Sequence, residues 1–139
     1  MQTRVSPTIG PPPRCDDQRV ARAVLIVDDD PAFLALATRI VTELGVGLVV
    51  TAADAAQCLE VAVESRPDVV LVDVGLPDRD GIDLACELSE LSWRPRVVLT
   101  SSDRDAIVAI EACRGDHRPV FIAKEELAGG RLRRILLDG

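Results

Sequence analysis

Three consecutive aspartates, Asp28 to Asp30, directly follow a run of branched apolar residues in the segment "AVLIVDDDP". Carboxylates this close together repel one another, so keeping all of them ionised is unfavourable unless a cation or a proton intervenes. Oxygen ligands of this kind suit Mg²⁺, which retains several of its waters when bound. Because Asp30 precedes Pro31, it is predicted to cap a helix. Asp28 and Asp29 are therefore the candidate metal ligands.

Further reactive side chains stand at the ends of three later apolar runs. Asp73 ends "DVVLVD", Thr100 lies near the end of "RVVLTS", and Lys124 follows "PVFIA". Because the carboxyl ends of parallel strands meet at one edge of a sheet, we expect these groups to share a pocket with the first two aspartates. An ammonium and a hydroxyl group there could bind the oxygens of a phosphoryl group. Asp73, which is central, is predicted to be the nucleophile that forms an aspartyl phosphate.

Apolar runs and helical periodicity alternate along the chain from residue 22 onwards. Five short runs rich in branched residues predict strands, and each is followed by a segment with apolar residues at helical spacing. Strands that are apolar on both faces belong to a parallel sheet covered on two sides. The predicted fold is therefore a doubly wound α/β sandwich with five parallel strands in the flavodoxin-like order 2-1-3-4-5.

The predicted helices differ in how clearly the sequence defines them. The second helix has an apolar stripe formed by Ala55, Leu59, Ala62 and Val63. The fourth is predicted over 103–113. The fifth is predicted near 130–137, because glycines at 129 and 130 disfavour an earlier start. Asp78 and Asp80 are predicted to form the turn before the third helix.

Composition and charge exclude several classes of protein. Hydrophobic residues make up 47% and charged residues 28% of the 139 positions, which is typical of a globular domain. A net charge of −7 and only 2% aromatic residues argue against direct nucleic-acid binding. Uncharged runs are too short for a membrane helix, and the start lacks a signal-peptide pattern. We therefore expect a cytoplasmic protein without membrane contact.

The proline content predicts where the folded domain begins. Residues 1–20, with prolines at 11–13, have neither a strand nor a helix period and are predicted to form a flexible Pro-rich tail. Residues 21–139 are predicted to form one domain, since this length suffices for a single hydrophobic core.

The chain resembles the receiver domains of response regulators in two-component signalling over about residues 22–138. Four motifs carry the resemblance: "VDDD" after the first strand, "DVGLPDRDG" from Asp73 to Gly81, "LTSSD" after the fourth strand, and "FIAK" ending in Lys124. Each lies at a predicted strand end, and the four occur in the order of the family.

The resemblance implies a metal site and a phosphorylation site. Asp28, Asp29, Asp73 and the backbone carbonyl group of Gly75 would hold Mg²⁺. Asp73 would accept a phosphoryl group from a sensor histidine kinase or a phosphotransfer protein. The domain would catalyse only its own phosphorylation and dephosphorylation, so we expect no separate enzyme activity.

The resemblance also implies a conformational switch. Lys124 would pair with the phosphoryl group, Thr100 would swing towards it, and Phe121 would change rotamer. A downstream protein would read the change on the face formed by the fourth helix, the fifth strand and the fifth helix. Glu125 stands where the family very often has proline, so we expect a more mobile loop in which Glu125 tethers Lys124.

Several functions remain to be separated. Because the chain ends with the fifth helix, we expect a stand-alone receiver, either a monomer or a weak phosphorylation-dependent dimer. The alternative is a receiver-like interaction module that works without phosphorylation. An aspartyl-nucleophile hydrolase is disfavoured because the position of its general acid is occupied by Gly75. A flavin site is disfavoured because the flavin phosphate would face the aspartate cluster.

Overall fold

The structure, a computed structural model, describes residues 20–102 and 120–138. The elements in chain order are β1 (Ala23–Val27), α1 (Pro31–Glu43), β2 (Leu48–Ala52), α2 (Ala55–Ser65), β3 (Val69–Asp73), α3 (Gly81–Ser89), β4 (Arg96–Ser101), β5 (Val120–Ala123), a 3₁₀ turn (Lys124–Glu126) and α4 (Gly130–Asp138). The predicted helix over 103–113 and residues 1–19 of the predicted tail lie outside the described residues. Within the described ranges, no helix has the length and apolar character needed to cross a bilayer.

The five strands form one parallel sheet in the order β2-β1-β3-β4-β5, which confirms the predicted topology. All residues of β1 and β3 are buried, as expected for central strands with branched apolar side chains on both faces. Asp73 of β3 is the register partner of Thr100 on β4. The topology therefore places the carboxyl ends of β1, β3, β4 and β5 side by side.

Helices cover both faces of the sheet and create two hydrophobic cores. The first core packs α1 and α4 against one face, with Phe33 and Leu132 among its buried residues. The second packs α2 and α3 against the other face, with Cys58 and Leu84 among its buried residues. This two-sided cover explains why the central strands have no polar face.

The buried stripe of α2 differs from the predicted one. Ala55, Cys58 and Ala62 are buried, whereas Leu59 is only partly buried and Val63 is 65% exposed. Small side chains at i, i+3 and i+7 let the helix pack closely on the sheet, so the larger apolar residues lie at the sides of the contact. The apolar periodicity therefore predicted the helix correctly, but the predicted stripe included Leu59 and Val63 and omitted Cys58.

Aspartates begin the first three helices. The Asp30 carboxylate accepts a hydrogen bond from the Ala32 N–H at 3.0 Å, which confirms the predicted cap of α1. Asp54 caps α2 and Asp80 caps α3 by accepting hydrogen bonds at 2.8 Å. Each cap satisfies a backbone donor that the first helical turn leaves without a partner.

Gly81, the first residue of α3, lies against the end of β3. Its N–H donates to the Val74 carbonyl oxygen at 3.0 Å. A Cβ atom built at this position would overlap the Asp73 carbonyl oxygen and would lie 2.7 Å from the Val74 Cα atom. Glycine is therefore required here because the backbone that carries Asp73 leaves no room for a side chain.

We expect Gly81→Ala to lower the free energy of unfolding by about 2 kcal/mol or more, since either the helix or the end of β3 must move. Gly130→Ala is the matched control, because Gly130 also begins a helix and has no atom within 4 Å of its built Cβ. The control should be stabilised by about 0.5 kcal/mol. Urea unfolding of both variants measures the difference, and equal stabilities would contradict the proposed steric constraint.

Candidate functional site

The candidate site lies at the carboxyl edge of the sheet, where four neighbouring strands end. Asp28 and Asp29 follow β1, and Asp73 is the last residue of β3. Thr100 lies beside Asp73 on β4, and Lys124 directly follows β5. The strand order thus brings residues from four distant sequence segments to one edge.

The three aspartates form a compact acid cluster. One carboxylate oxygen from each of Asp28, Asp29 and Asp73 lies within 4.8 Å of the others. Asp28 is fully buried and Asp73 is 7% exposed, whereas Asp29 is open to solvent. Two buried carboxylates with a third at the rim form a strongly negative pocket that solvent can enter from one side.

Lys124 supplies the positive charge in this pocket. Its Nζ atom lies 2.6 Å from Asp28 Oδ2 and 3.6 Å from Asp73 Oδ1. The same ammonium group lies over the ring of Phe33, 4.6 Å from the ring centroid. These contacts hold the lysine between the acid cluster and the first turns of α1, and its closest partner is Asp28.

The Asp28 carboxylate is suited to bind a cation. Its Oδ1 atom accepts a hydrogen bond from the Asp30 N–H at 2.9 Å, which fixes the orientation of the group. Its Oδ2 atom is buried and has no aligned hydrogen-bond donor among the described residues, so Lys124 compensates it mainly as a nearby charge. A buried, incompletely satisfied carboxylate oxygen within an all-oxygen cluster fits Mg²⁺.

The environment raises the pKa of Asp73. Burial is the main cause and the negative charge of Asp28 adds to it, while the Lys124 ammonium and a hydrogen bond from the Gly75 backbone oppose the shift. A carboxylate with a raised pKa is more basic than an exposed one and less solvated. In its ionised form it is therefore a stronger nucleophile. The environment of Asp73 therefore fits the role of an acceptor of an electrophilic group.

The environment of Lys124 keeps its charge. Burial alone would lower the pKa of the ammonium group, but the close contact with Asp28 and the charges of Asp73 and Asp28 raise it. Lys124 therefore remains cationic and can attract a further anionic group.

Thr100, Gly75 and Phe121 lie around the cluster in different ways. The Thr100 hydroxyl is buried and donates to the Val72 carbonyl oxygen over a long distance of 3.5 Å. The Gly75 backbone donates to the Asp73 carboxylate. Phe121 is half-buried and packs against the second core, so it is not part of the acid cluster.

The turn after β5 contains the departure from the family pattern noted at Glu125. Lys124, Glu125 and Glu126 form a single 3₁₀ turn, and the Lys124–Glu125 peptide bond is trans, as are the other described peptide bonds. The Lys124 ammonium contacts the carboxylates of Asp28 and Asp73, and the tethering of Lys124 by Glu125 stays a prediction. The mobility predicted for this loop stays a prediction.

Sequence reasoning missed two residues near the site. Phe33 lies in the first turn of α1, and its contact with Lys124 joins segments that are distant in sequence. Asp78 was predicted to be a turn residue, but its carboxylate accepts hydrogen bonds from the Ala55 and Ala56 N–H groups at 2.9 and 3.2 Å. No local signal could have shown this contact, since the partners lie more than twenty residues away.

Comparisons with known proteins agree with this architecture. Residues 24–128 match the family described as the response regulator receiver domain. The transcriptional regulatory protein PdtaR of Mycobacterium tuberculosis is 38% identical over 92 residues, which are 66% of this chain and 45% of that protein. The chain thus spans less than half the length of this relative.

Solved receiver domains have the same fold. The receiver domain of RstA from Klebsiella pneumoniae, in its BeF3-activated form, is 28% identical with a TM-score of 0.68 and covers 84% of this chain and 99% of that one. A CheY-like receiver domain protein from Methanospirillum hungatei is 24% identical, has a TM-score of 0.68 and covers 82% and 90%. The chain belongs to the response regulator receiver domain family of two-component systems.

The raised pKa of Asp73 predicts how stability depends on pH without metal. The folded state binds the Asp73 proton more tightly than the unfolded chain, so this residue lowers stability as the pH rises from 3.8 through the raised pKa. Asp73→Asn should therefore be more stable than wild type at pH 7, and its advantage should shrink as the pH falls towards 3.8.

Urea unfolding in a metal chelator at several pH values measures this effect. Glu64→Gln is the control, because it removes an exposed carboxylate of α2 outside the site. A stability gain of Asp73→Asn that does not change with pH would contradict the assignment.

Proposed function

We propose that this chain is a phosphorylation-dependent switch in which Asp73 accepts a phosphoryl group from a sensor histidine kinase or a phosphotransfer protein. The observation that carries the proposal is the placement of Asp73 within one acid cluster with Asp28 and Asp29, with the Lys124 ammonium 3.6 Å away. Membership of the receiver family supports the same function.

Each residue of the site would have a separate role in phosphoryl transfer. An oxygen of the Asp73 carboxylate attacks phosphorus, the P–N bond of the donor breaks, and the imidazole nitrogen keeps the electron pair. Lys124 attracts the phosphoryl oxygens by its charge, and the Thr100 hydroxyl can turn from the Val72 carbonyl group to donate to one of them. Both contacts form only when the phosphoryl group is present. They therefore favour one of two conformations, as a switch requires.

Asp28, Asp29, Asp73 and the Gly75 backbone carbonyl group would hold Mg²⁺, whose charge offsets that of the carboxylates and the phosphoryl oxygens. The buried Asp28 Oδ2 atom without an aligned donor supports this ligand set. On this proposal the domain catalyses only its own phosphorylation and dephosphorylation.

The switch would be read by a downstream protein on the face formed by the predicted helix over 103–113, β5 and α4. Phe121, half-buried on β5, would report the state of Thr100 to this face by changing rotamer. We propose that the receiver works in the cytoplasm, as a monomer or a weak phosphorylation-dependent dimer, without direct nucleic-acid or membrane contact.

The domain boundary near residue 20 is also a proposal. The Ala21 N–H donates to the Leu136 carbonyl oxygen of α4 at 2.8 Å, and Ala21 is buried. These contacts support a receiver domain over 21–139 that follows a Pro-rich tail over 1–20. The alternative function, an interaction module independent of phosphorylation, would use the same fold without chemistry at Asp73.

The phosphorylation proposal predicts a mass change. With Mg²⁺ and acetyl phosphate, the wild-type chain should gain one phosphoryl group in intact-mass measurements, and Asp73→Asn should gain none because it lacks the acceptor carboxylate. Asp80→Asn is a suitable control, since Asp80 is an exposed cap of α3 on the same loop. No adduct on either the wild type or the control would favour the phosphorylation-independent module.

Lys124 should compete with Mg²⁺ for Asp28, because its ammonium lies 2.6 Å from Asp28 Oδ2. We expect Lys124→Met to bind Mg²⁺ about tenfold more tightly, since the variant removes a positive charge from the metal site. Lys124→Arg keeps the charge and should show no such gain. Calorimetric titration measures both affinities, and weaker binding by Lys124→Met would show that the lysine does not compete.

A further inference from the structure

The β3–α3 loop, residues 74–80, carries the backbone of Gly75 past the acid cluster. The loop is closed at its base, because the Val74 N–H donates to the Thr100 carbonyl oxygen and the Gly81 N–H donates to the Val74 carbonyl oxygen, both at 3.0 Å. Leu76 is buried in the second core. The outer half of the loop, beyond Leu76, makes a further contact.

Asp78 provides that contact by reaching across to α2. Its Oδ1 atom accepts from the Ala55 N–H at 2.9 Å and its Oδ2 atom accepts from the Ala56 N–H at 3.2 Å. These hydrogen bonds lower the pKa of Asp78, so the carboxylate stays ionised near neutral pH. The loop is thus joined to α2 by two hydrogen bonds to a charged acceptor.

Helix α2 does not depend on Asp78 for a conventional cap. Asp54 already accepts from the Gln57 N–H at 2.8 Å, and the Gln57 side chain accepts from the Ala53 N–H at 2.7 Å. Asp78 satisfies the two remaining donors of the first turn. The start of α2 therefore has one aspartate from its own sequence and one from the loop beside the acid cluster.

The contact also links two sides of the candidate site. The strand before α2 ends at Ala52, whose carbonyl oxygen accepts a hydrogen bond from the Asp28 N–H at 3.1 Å. A chain of hydrogen bonds and short covalent segments therefore runs from Gly75 through Asp78 and α2 to Asp28. This chain is a second connection between the Gly75 backbone and the buried aspartate, in addition to the pairing of β1 with β3.

We propose that Asp78 is a positioning residue that holds the Gly75 backbone in place for metal binding and for its hydrogen bond to Asp73. The inference rests on the proposed function, in which the Gly75 carbonyl group and Asp28 are ligands of one Mg²⁺ ion. Asp78 is not one of the three clustered carboxylates, and both of its oxygens accept from α2, so it is proposed to act through the loop backbone and not as a ligand.

The test compares Asp78→Ala with Asp54→Ala in the full chain. Both variants remove side-chain acceptors from the first turn of α2, but only Asp78→Ala releases the loop. Calorimetric titration with MgCl₂ should give a dissociation constant about tenfold higher for Asp78→Ala, the lower end of the effect of losing an outer contact of a metal site. Asp54→Ala should bind like wild type. Asp78→Asn should have an intermediate affinity, because its single amide oxygen can accept from only one of the two N–H groups.

Amide hydrogen exchange of the metal-free proteins gives a second measurement that does not depend on phosphorylation. Peptides covering 74–80 should exchange faster in Asp78→Ala and at the wild-type rate in Asp54→Ala. If Asp78→Ala fails to fold, Asp78→Ser is measured in its place. Its side chain is shorter than that of aspartate and cannot accept from both N–H groups.

The outcomes distinguish failure of the positioning role of Asp78 from failure of the proposed function. Unchanged Mg²⁺ affinity in Asp78→Ala, or an equal loss of Mg²⁺ affinity in Asp78→Ala and Asp54→Ala, would overturn the positioning role. The proposed function would stand in either case if the wild-type chain binds Mg²⁺. Absence of Mg²⁺ binding by the wild-type chain would overturn the proposed function and the positioning role with it.

Discussion

The mutual repulsion of three carboxylates at one edge of the sheet is the constraint on which the site depends. Asp28 and Asp73 are buried beside each other, with Asp29 at the rim, and burial makes their charges more costly to maintain than in water. Lys124 relieves part of this repulsion through its contact with Asp28. One ammonium against three carboxylates still leaves the pocket negative, so it attracts a further cation.

The fold places the polar side chains of the pocket at the ends of the strands and apolar side chains along the central strands. The central strands β1 and β3 are buried along their whole length, and within 20–102 and 120–138 two helices pack on each face of the sheet. Three aspartates outside the pocket, Asp30, Asp54 and Asp80, cap helices instead. These caps satisfy backbone donors, whereas the three carboxylates of the pocket lie together at one edge of the sheet.

The sequence allowed the fold and much of the site to be predicted because both depend on local patterns. Runs of branched residues defined the strands, and the parallel topology then required Asp28, Asp73 and Lys124 to meet at one edge. The shorter distance of Lys124 to Asp28 than to Asp73 was not predictable, since it depends on the side-chain conformation of Lys124, whose ammonium also lies over Phe33. The link between Asp78 and α2 was hidden for a similar reason, because its partners are distant in sequence.

The most direct test of the account is the identity of the residue that carries the phosphoryl group. Borohydride reduces an aspartyl phosphate to homoserine, so treatment of the phosphorylated wild-type chain followed by peptide mass spectrometry locates the acceptor. The account predicts homoserine at position 73 alone, formed only in samples that contained Mg²⁺ and a phosphoryl donor. Homoserine at position 28 or 29, or a phosphorylated chain with no homoserine, would contradict it.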